Sequence, residues 1–411
     1  MEAANNVISK NIQRTEKKLW TVAGPGLPVE VHELPNEAEE ANMAAERIGT
    51  HVSMKARKFG DFAILYRTNA QSVAFERAFL RFHIPYQIVG GVRFYDRKEI
   101  KDIIAYLRLI YQPQDRMSFC RIVNVPTRGI GDVSLEKFLL WQSENRMDII
   151  TALINANQID SLTPRAKKSL IILGNKLNSV QKIVETTGPA DLIEKILALT
   201  GYRDYIADGT PQAEDRDDNL GSLLSDAKNF VNLPEFLEEV ALMSSTDTSG
   251  DDQKVTLMTL HAAKGLEFPV VFMVGLEEGI LPHARVYEAG QAELEEERRL
   301  AYVGMTRARE ELHLSYAQSR MQFGQIGYNQ MSRFIGDMGD SISMAAVQES
   351  SYIRDTQEFY SDELFEIGER VRSASFGKGE IVEIDGLALT IKFDDGKTKK
   401  LNAEYARLEK I

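Results

Sequence analysis

The sequence predicts an α/β fold in which a parallel-sheet domain is interrupted by an all-helical insertion and followed by a small β-barrel. Three observations support this order. Short apolar runs alternate with helical patterns before residue 91 and return after residue 250. Between them, apolar residues recur at helical spacing with no convincing strand. Residues 363 to 411 contain short alternating strands separated by Gly or Asp-Gly turns.

The first part of the parallel-sheet domain, residues 1 to 90, alternates between strand and helix patterns. Strands are expected from Val29, over residues 62 to 66 and over residues 84 to 89. The helices between them are expected over about residues 38 to 52 and 71 to 82. Such alternation is typical of βαβ units on a parallel sheet.

Residues 91 to 250 form the predicted helical insertion. Its first helix carries an apolar stripe at positions i, i+3, i+4 and i+7, comprising Ile100, Ile103, Ile104, Leu107, Ile110 and Tyr111. The insertion ends in a polar, turn-rich linker from Ser244 to Asp252. The sheet domain then resumes over residues 251 to 335, with strands expected over 255 to 260, 270 to 274 and 312 to 316. The middle run is nearly all apolar, as expected of a strand covered on both faces.

The end of the chain changes character twice. Residues 336 to 362 carry Gly, Asp, Ser and Glu with little periodicity, which indicates a flexible linker. Residues 363 to 411 then predict the small β-barrel. Its basic residues Lys378, Lys397, Lys399 and Lys400 suit either a partner surface or a solvated face.

Composition restricts the classes of function. A length of 411 residues with 43% apolar side chains is sufficient for two or three domains with a sizeable core. The net charge of -12 argues against coating nucleic acid by bulk positive charge, so any such contact must be local. The single cysteine, Cys120, excludes an internal disulfide and a cysteine-based zinc site, and it is expected to be a small buried side chain. Neither a membrane-spanning run nor a secretion signal is recognisable, which favours a cytoplasmic protein without a membrane partner.

The segment from Val255 to Pro269 carries the strongest chemical signal. After an apolar strand it presents His261, Lys264 and Glu267, which we expect at the carboxyl edge of the sheet, where α/β folds bind ligands. Gly265 allows close approach of the backbone. A carboxylate at such an edge commonly binds a ribose hydroxyl, and His and Lys suit phosphate oxygens. An anionic ligand is therefore expected here.

A second signal lies in a helix that starts with the acidic run from Glu293 to Glu297. The spacing places Leu300, Gly304 and Arg307 on one face, so that Arg307 projects beside a residue without a side chain. The alternative is a surface arginine in a charge network with a neighbour such as Glu311.

Leu260 to Phe268 and Glu295 to Arg309 resemble motifs V and VI of the superfamily 1 DNA helicases of the UvrD, Rep and PcrA type. Four further segments match that family in the same order: Ala63 to Gln71, Gly91 to Glu99, Arg121 to Gly131 and the closing barrel. The resemblance implies a RecA-like domain 2A over residues 1 to 90 and 251 to 335, domain 2B over 91 to 250, and a Tudor-like tail.

The resemblance also implies roles for individual residues. Arg307 would be the arginine finger that reaches the γ-phosphate of ATP bound on another domain, and Glu267, with Gly265, would contact the nucleotide at its ribose. Arg67, Asn69 and His261 would contact single-stranded DNA, with Lys264 coupling that contact to the nucleotide.

A loop of the insertion, comprising Thr127, Arg128, Gly129, Ile130 and Gly131, would touch duplex phosphates through backbone N–H groups, as glycine turns before helices can. Alone, Gly-Ile-Gly is more often only a turn. The barrel is implied to bind RNA polymerase.

The chain departs from the family at one point: it contains no P-loop and no strand ending in paired acids for Mg²⁺. We therefore expect the carboxyl half of an ATP-dependent 3′ to 5′ helicase of DNA repair or replication, inactive alone. A preceding half would hold most of the ATP and Mg²⁺, and no metal ligands are predicted within this chain. The alternative is a non-catalytic adaptor that binds DNA and RNA polymerase. A nuclease subunit is disfavoured by the barrel and the lack of acidic nuclease motifs.

Overall fold

The computed structural model describes residues 1–12, 26–210, 212–244, 253–322, 325–345, 367–373, 377–385, 388–394, 398–402 and 408–410. These residues fall into two compact units, which divide between residues 347 and 348. Each unit is described by itself.

The larger unit is built on a seven-stranded sheet in which every pair of neighbouring strands is parallel. Its strands are β1 (Val29–Leu34), β2 (Phe62–Tyr66), β3 (Tyr86–Val89), β4 (Val255–Thr259), β5 (Phe268–Met273), β6 (Ala308–Ala317) and β9 (Ile342–Met344). Their order is β3-β4-β2-β5-β6-β1-β9. The six strands expected from the sequence are confirmed, and a hairpin of β7 (Ser319–Gln322) and β8 (Gln325–Tyr328) adjoins them.

Alternating side chains of each central strand face two separate apolar cores, as the two-residue period of a strand requires. In β2, Phe62 and Ile64 pack beneath the helices on one face, whereas Ala63 and Leu65 pack on the other. The first face carries α2 (Glu37–Ser53) and α3 (Ser72–Arg81). The second face carries α1 (Glu2–Ser9), α14 (Gln291–Met305) and α15 (Arg333–Asp337). The short helix α13 (Val286–Ala289) precedes α14. Burial on both faces explains why the central strands are continuous apolar runs.

The insertion between β3 and β4 is helical throughout its described residues, as predicted. Its helices are α4 (Lys98–Tyr111), α5 (Arg116–Ile122), α6 (Asp132–Glu144), α7 (Ile149–Ile154), α8 (Pro164–Gln181), α9 (Pro189–Thr200), α10 (Tyr202–Ile206), α11 (Gln212–Ala227) and α12 (Leu233–Ser244). Asp115, Asp148 and Thr163 cap three of them by accepting a backbone N–H. The insertion has its own apolar core, which includes five of the six residues of the stripe on α4. The sixth, Tyr111, is exposed at the end of the helix, so its expected place in the stripe is wrong.

Two sequence expectations are corrected here. The residues from 336 to 345, predicted as the start of a linker, instead complete α15 and supply β9, which pairs with β1. The remainder of the predicted linker to residue 362, and most of the one from Ser244 to Asp252, lie outside the described residues. Cys120 is exposed rather than buried.

The smaller unit is a five-stranded antiparallel sheet of β10 (Arg370–Ser373), β11 (Gly377–Asp385), β12 (Ala388–Phe393), β13 (Thr398–Asn402) and β14 (Leu408–Lys410). Its small core consists of Val371, Ile381, Leu389, Ile391 and Phe393. The β-rich ending is confirmed, and closure into a barrel stays a prediction. In neither unit does a described helix combine the length and apolar character needed to cross a bilayer.

Candidate functional site

The segment of residues 260 to 267 runs from one edge of the sheet to the other. Because β4 and β5 are parallel and flank β2, the chain must return from the carboxyl end of β4 to the amino end of β5. His261 therefore lies at the carboxyl edge, and Glu267 lies at the amino edge, separated by the length of a strand, about 15 to 20 Å. The expectation that both lie at the carboxyl edge is wrong, because Glu267 directly precedes β5 and all strands of a parallel sheet begin at the amino edge.

At the amino edge, Arg307 occupies the turn between α14 and β6. The helix ends at Met305, so the prediction that Arg307 continues its face is wrong. The guanidinium donates from Nε to the Val303 carbonyl at 2.9 Å and from Nη1 to the Leu266 carbonyl at 2.9 Å. Its Nη2 donates to the Thr306 hydroxyl at 3.0 Å.

These three acceptors are neutral, so they orient the guanidinium without cancelling its charge. Arg307 forms no ion pair with any carboxylate among the described residues. The Glu311 side chain of the alternative interpretation is instead bound by Arg57, whose Nη2 lies 2.7 Å from it. Arg307 is therefore held in place with its charge available.

Glu267 lies next to Arg307 through the backbone, because the Phe268 N–H donates to the Arg307 carbonyl at 2.9 Å. Its carboxylate is exposed and forms no ion pair within the described part of the chain. Gly265 is also exposed, with φ of +89° and open space around it, so that its backbone is accessible. The amino edge thus presents one fixed cation, one exposed carboxylate and an uncovered backbone.

Gly304 fixes the position of α14 against the crossing segment. A Cβ there would lie 2.4 Å from Leu260 Cδ2 and 3.0 Å from Met273 Sδ, closer than packed atoms approach. The glycine therefore serves helix packing, and through it the turn that carries Arg307 is held against the segment that carries His261.

At the carboxyl edge, Arg67 follows β2 in a turn shaped by Gln71. The Gln71 Oε1 accepts the backbone N–H groups of Arg67 at 2.9 Å and Thr68 at 3.0 Å. The Arg67 guanidinium makes a two-pronged contact with Glu297 on α14, at 3.0 Å from Nε and 2.7 Å from Nη2. Glu297 is 3% exposed and also accepts the His283 N–H at 3.0 Å. Arg67 is thus neutralised by a buried partner.

Helix α11 of the insertion adds further acids at this edge. Arg97 links it to the turn after Arg67, donating to the Asn69 carbonyl at 2.9 Å and to Asn219 on α11 at 2.6 Å. Burial, reinforced by Asp215 and Asp217, raises the pKa of Asp218 to about 6, and Arg67 opposes this rise. Sequence reasoning missed these acids, although the run from Glu214 to Asp218 was a visible signal.

His261 lies at this edge, and Lys264 lies three residues further along the crossing segment. The surface of each residue is exposed to solvent. Partial burial and the nearby Arg67 lower the pKa of His261, which keeps the imidazole neutral at pH 7. Lys264 forms no ion pair with a described residue, and Asn69 is half-buried. The structure therefore groups Arg67, Asn69 and His261, with Lys264 further along the crossing segment.

The predicted loop from Thr127 to Gly131 joins α5 to α6. Arg128 turns inward, donating to the carbonyls of Ile122, Val123 and Val125 and to the Tyr106 hydroxyl at 2.6 Å. Its side chain is thus used to hold the loop rather than to present a free cation. Thr127, Gly129 and Gly131 are exposed, and Gly131 precedes the first turn of α6, where backbone N–H groups are unpaired.

A parallel α/β sheet with a helical insertion, a crossing segment that links its edges and a fixed arginine after α14 defines a RecA-like domain of the helicase class. The family profile described as "UvrD-like helicase C-terminal domain" matches residues 1–319. The chain belongs to this family.

Three similar proteins share the name of a DNA helicase. "ATP-dependent DNA helicase PcrA" of Bacillus subtilis (strain 168) is 43% identical over 363 residues, which is 83% of this chain and 48% of that protein. Proteins of the same name from Staphylococcus aureus (strain MRSA252) and Staphylococcus epidermidis (strain ATCC 12228 / FDA PCI 1200) are each 34% identical across 100% of this chain and 60% of their own length. The chain thus spans about half to three fifths of these relatives.

Proposed function

We propose that this chain is the carboxyl-terminal portion of an ATP-dependent 3′ to 5′ DNA helicase, acting with a P-loop domain in DNA repair or replication. The observation that carries this proposal is the fixed guanidinium of Arg307, which is oriented by neutral oxygens at the same edge as the exposed Glu267. The names of the relatives add support. A cytoplasmic location accords with this function.

At the amino edge, Arg307 acts as an arginine finger toward ATP held with Mg²⁺ on the P-loop domain. Its charge meets the negative charge that develops on the transferred phosphoryl group, and its orientation needs no rearrangement at that moment. Glu267 accepts hydrogen bonds from the ribose hydroxyls, and the exposed backbone at Gly265 leaves room for the nucleotide. The residues present suit a nucleotide shared between two domains.

At the carboxyl edge, Asn69, His261 and Arg67 contact single-stranded DNA, with Lys264 beside them. The loop from Thr127 to Gly131 contacts duplex phosphates through Thr127 and backbone N–H groups. Residues 260 to 267 couple the two ligands, because Leu260 packs on Gly304 and Leu266 binds Arg307 directly. A shift of this segment on DNA binding is passed to the nucleotide edge.

The smaller unit is proposed as a docking module for RNA polymerase. Lys378 is exposed on β11 and Lys392 is exposed on β12, whereas Lys397 and the side chains of Lys399 and Lys400 lie outside the described part of the chain. Retention of polymerase by the full chain but not by residues 1–347 would support this role. Equal retention by both would reject it.

The catalytic proposal is tested by joining this chain to the amino-terminal half of the Bacillus subtilis relative. We expect ATP hydrolysis that is stimulated by single-stranded DNA, with neither half active alone. A joined protein that binds DNA but shows no stimulated hydrolysis, in conditions where the intact relative is active, would favour the non-catalytic adaptor instead.

A further inference from the structure

Three side chains form a compact cluster on the face of the sheet beneath α2, away from both edges of the candidate site. Glu30 and His32 lie two residues apart on β1, so they share a face, and His313 pairs with Glu30 in register on β6. No spacing in the sequence indicates this cluster, because His313 is 281 residues from His32.

The geometry of the cluster matches a metal-ligand set. Glu30 Oε2 lies 3.3 Å from His32 Nε2 and 3.4 Å from His313 Nδ1, and the two imidazole nitrogens are 3.4 Å apart. Ligand atoms about 2.0 to 2.1 Å from a tetrahedral zinc ion lie about 3.3 to 3.5 Å from one another. The three separations therefore fit three corners of one tetrahedron.

The Glu30 carboxylate is not satisfied by the rest of the protein. Its Oε2 is buried and has no hydrogen bond of good geometry to a described residue. Arg47 Nη1 lies 2.9 Å away, which is an ion-pair distance but not a hydrogen-bond arrangement. Burying such an oxygen without a well-aligned donor costs about 1 to 3 kcal/mol, and the Arg47 cation offsets part of this cost. A metal ion between Glu30 and the two imidazoles would supply the missing partner.

The surroundings of the imidazoles also suit a metal. Burial, with Arg47 and His313 nearby, lowers the pKa of His32 to about 4, and burial likewise lowers the pKa of His313. A neutral imidazole is the form that binds a metal ion. Glu311 Oε2 lies 3.7 Å from the outer nitrogen of His313, and Arg57 holds that carboxylate. Metal-bound imidazoles are oriented by a carboxylate that accepts a hydrogen bond from the outer ring nitrogen, and a shift of about 0.5 Å would bring Glu311 into that contact.

We propose that Glu30, His32 and His313 bind a zinc ion, with one further position open to solvent. Two neutral imidazoles and a carboxylate are the ligand types that zinc accepts. Glu30 is partly exposed, which gives the ion an entry path, and Arg47, which is also partly exposed, must swing outward on binding. The ion would tie β1 to β6 and raise the stability of the sheet domain.

The test measures zinc binding by the full chain after its metal has been removed. Calorimetry gives the affinity, and metal analysis after dialysis gives the number of zinc ions that each chain retains. We expect one zinc per chain. His32→Gln and His313→Gln should each weaken binding at least about 100-fold, and Glu311→Gln, as a positioning change, about 10-fold to 100-fold. His51→Gln is the matched control, because His51 lies on α2 beside Phe62, and it should leave binding unchanged. Arg47→Gln should tighten binding, since it removes the competing cation.

Loading with Co²⁺ tests the site in the intact chain, so the result does not depend on variants that could unfold. The intact chain loaded with Co²⁺ should show the intense visible bands of a four-coordinate nitrogen and oxygen site. Absence of retained zinc, a six-coordinate cobalt spectrum, or zinc affinity that His32→Gln leaves unchanged would each overturn the proposal. In that case, His32 and His313 only share a buried hydrogen bond between their imidazole rings.

Discussion

The two edges of the parallel sheet hold their arginines in opposite ways. Arg307 at the amino edge is bound by two carbonyls and a hydroxyl, none of which carries charge. Arg67 at the carboxyl edge is bound by the carboxylate of Glu297, and the acids of α11 lie nearby. One edge therefore offers a rigid, uncompensated cation, and the other offers a cation that is already neutralised.

This difference indicates how each edge can respond to an anion. A phosphate that reaches Arg307 gains a full charge interaction with little reorganisation, as phosphoryl-transfer chemistry requires. A phosphate that reaches Arg67 must compete with Glu297 or displace the acids of α11. DNA binding at that edge is thus expected to be conditional on the position of the insertion, whereas the nucleotide edge is preset.

Arg307→Ala is expected to have the largest effect of any change at either edge. In the chain joined to a P-loop half, ATP turnover should fall by about 10³-fold to 10⁵-fold, because the charge that stabilises the transferred phosphoryl group is lost. Single-stranded DNA affinity should change little. Arg309→Ala is the control, since Arg309 is exposed two residues further along β6 and its loss should leave turnover within about twofold. Near-normal turnover in Arg307→Ala would refute the assigned role.

The second prediction concerns the charge balance at the carboxyl edge. Arg67→Gln leaves the carboxylate of Glu297 buried with only the His283 N–H, so the free energy of unfolding should fall by about 3 kcal/mol. The double variant Arg67→Gln with Glu297→Gln should recover most of this loss. Urea unfolding measures the stability, and fluorescence anisotropy with an oligonucleotide measures DNA binding.

The two readouts separate a structural role of Arg67 from a DNA-binding one. If Arg67 contacts DNA, the double variant regains stability but not affinity. Recovery of both would show that Arg67 serves only to neutralise Glu297. Arg333→Gln is the matched control, because its two-pronged contact with Glu278 is more exposed and should contribute no more than about 1 kcal/mol.

The sequence predicted the elements of this comparison better than their arrangement. The apolar runs revealed six strands of the sheet because burial on both faces leaves an unambiguous pattern. Strand order is not encoded locally and could not be predicted. The separation of Glu267 from His261 was predictable, because consecutive parallel strands require the chain to cross from the carboxyl edge to the amino edge, and Glu267 directly precedes β5. The short edge strand β9 was not predicted, because three residues among polar neighbours are too few to show the two-residue alternation of a strand.

The site was predictable only where the chemistry is local. The motif residues were recognisable by type, but the partner of Arg67 lies 230 residues away, and no rule of spacing identifies it. Likewise, the turn that follows Met305 replaced the expected helical face of Arg307, since the chain enters β6 at Ala308 and has no room for another helical turn.

The smallest expected effect is on the pH dependence of DNA binding. Asp218 has a pKa raised to about 6, so it is neutral below that pH and negative above it. Affinity for single-stranded DNA should therefore rise by about two- to fivefold as the pH falls from 7 to 5, because repulsion beside Arg67 is relieved. His261, whose pKa is lowered by partial burial and by Arg67, gains its charge in the same direction as the pH falls.

Asp218→Asn separates these two contributions, because it removes the carboxylate while His261 still titrates. The variant should bind more tightly than the parent at pH 7 and show a smaller rise on acidification, in anisotropy titrations at constant ionic strength. Asp191→Asn, on the exposed first turn of α9, should leave both values unchanged. An identical pH profile for Asp218→Asn and the parent would show that the acids of α11 do not act at the DNA edge, and the contrast between the edges would then rest on Glu297 alone.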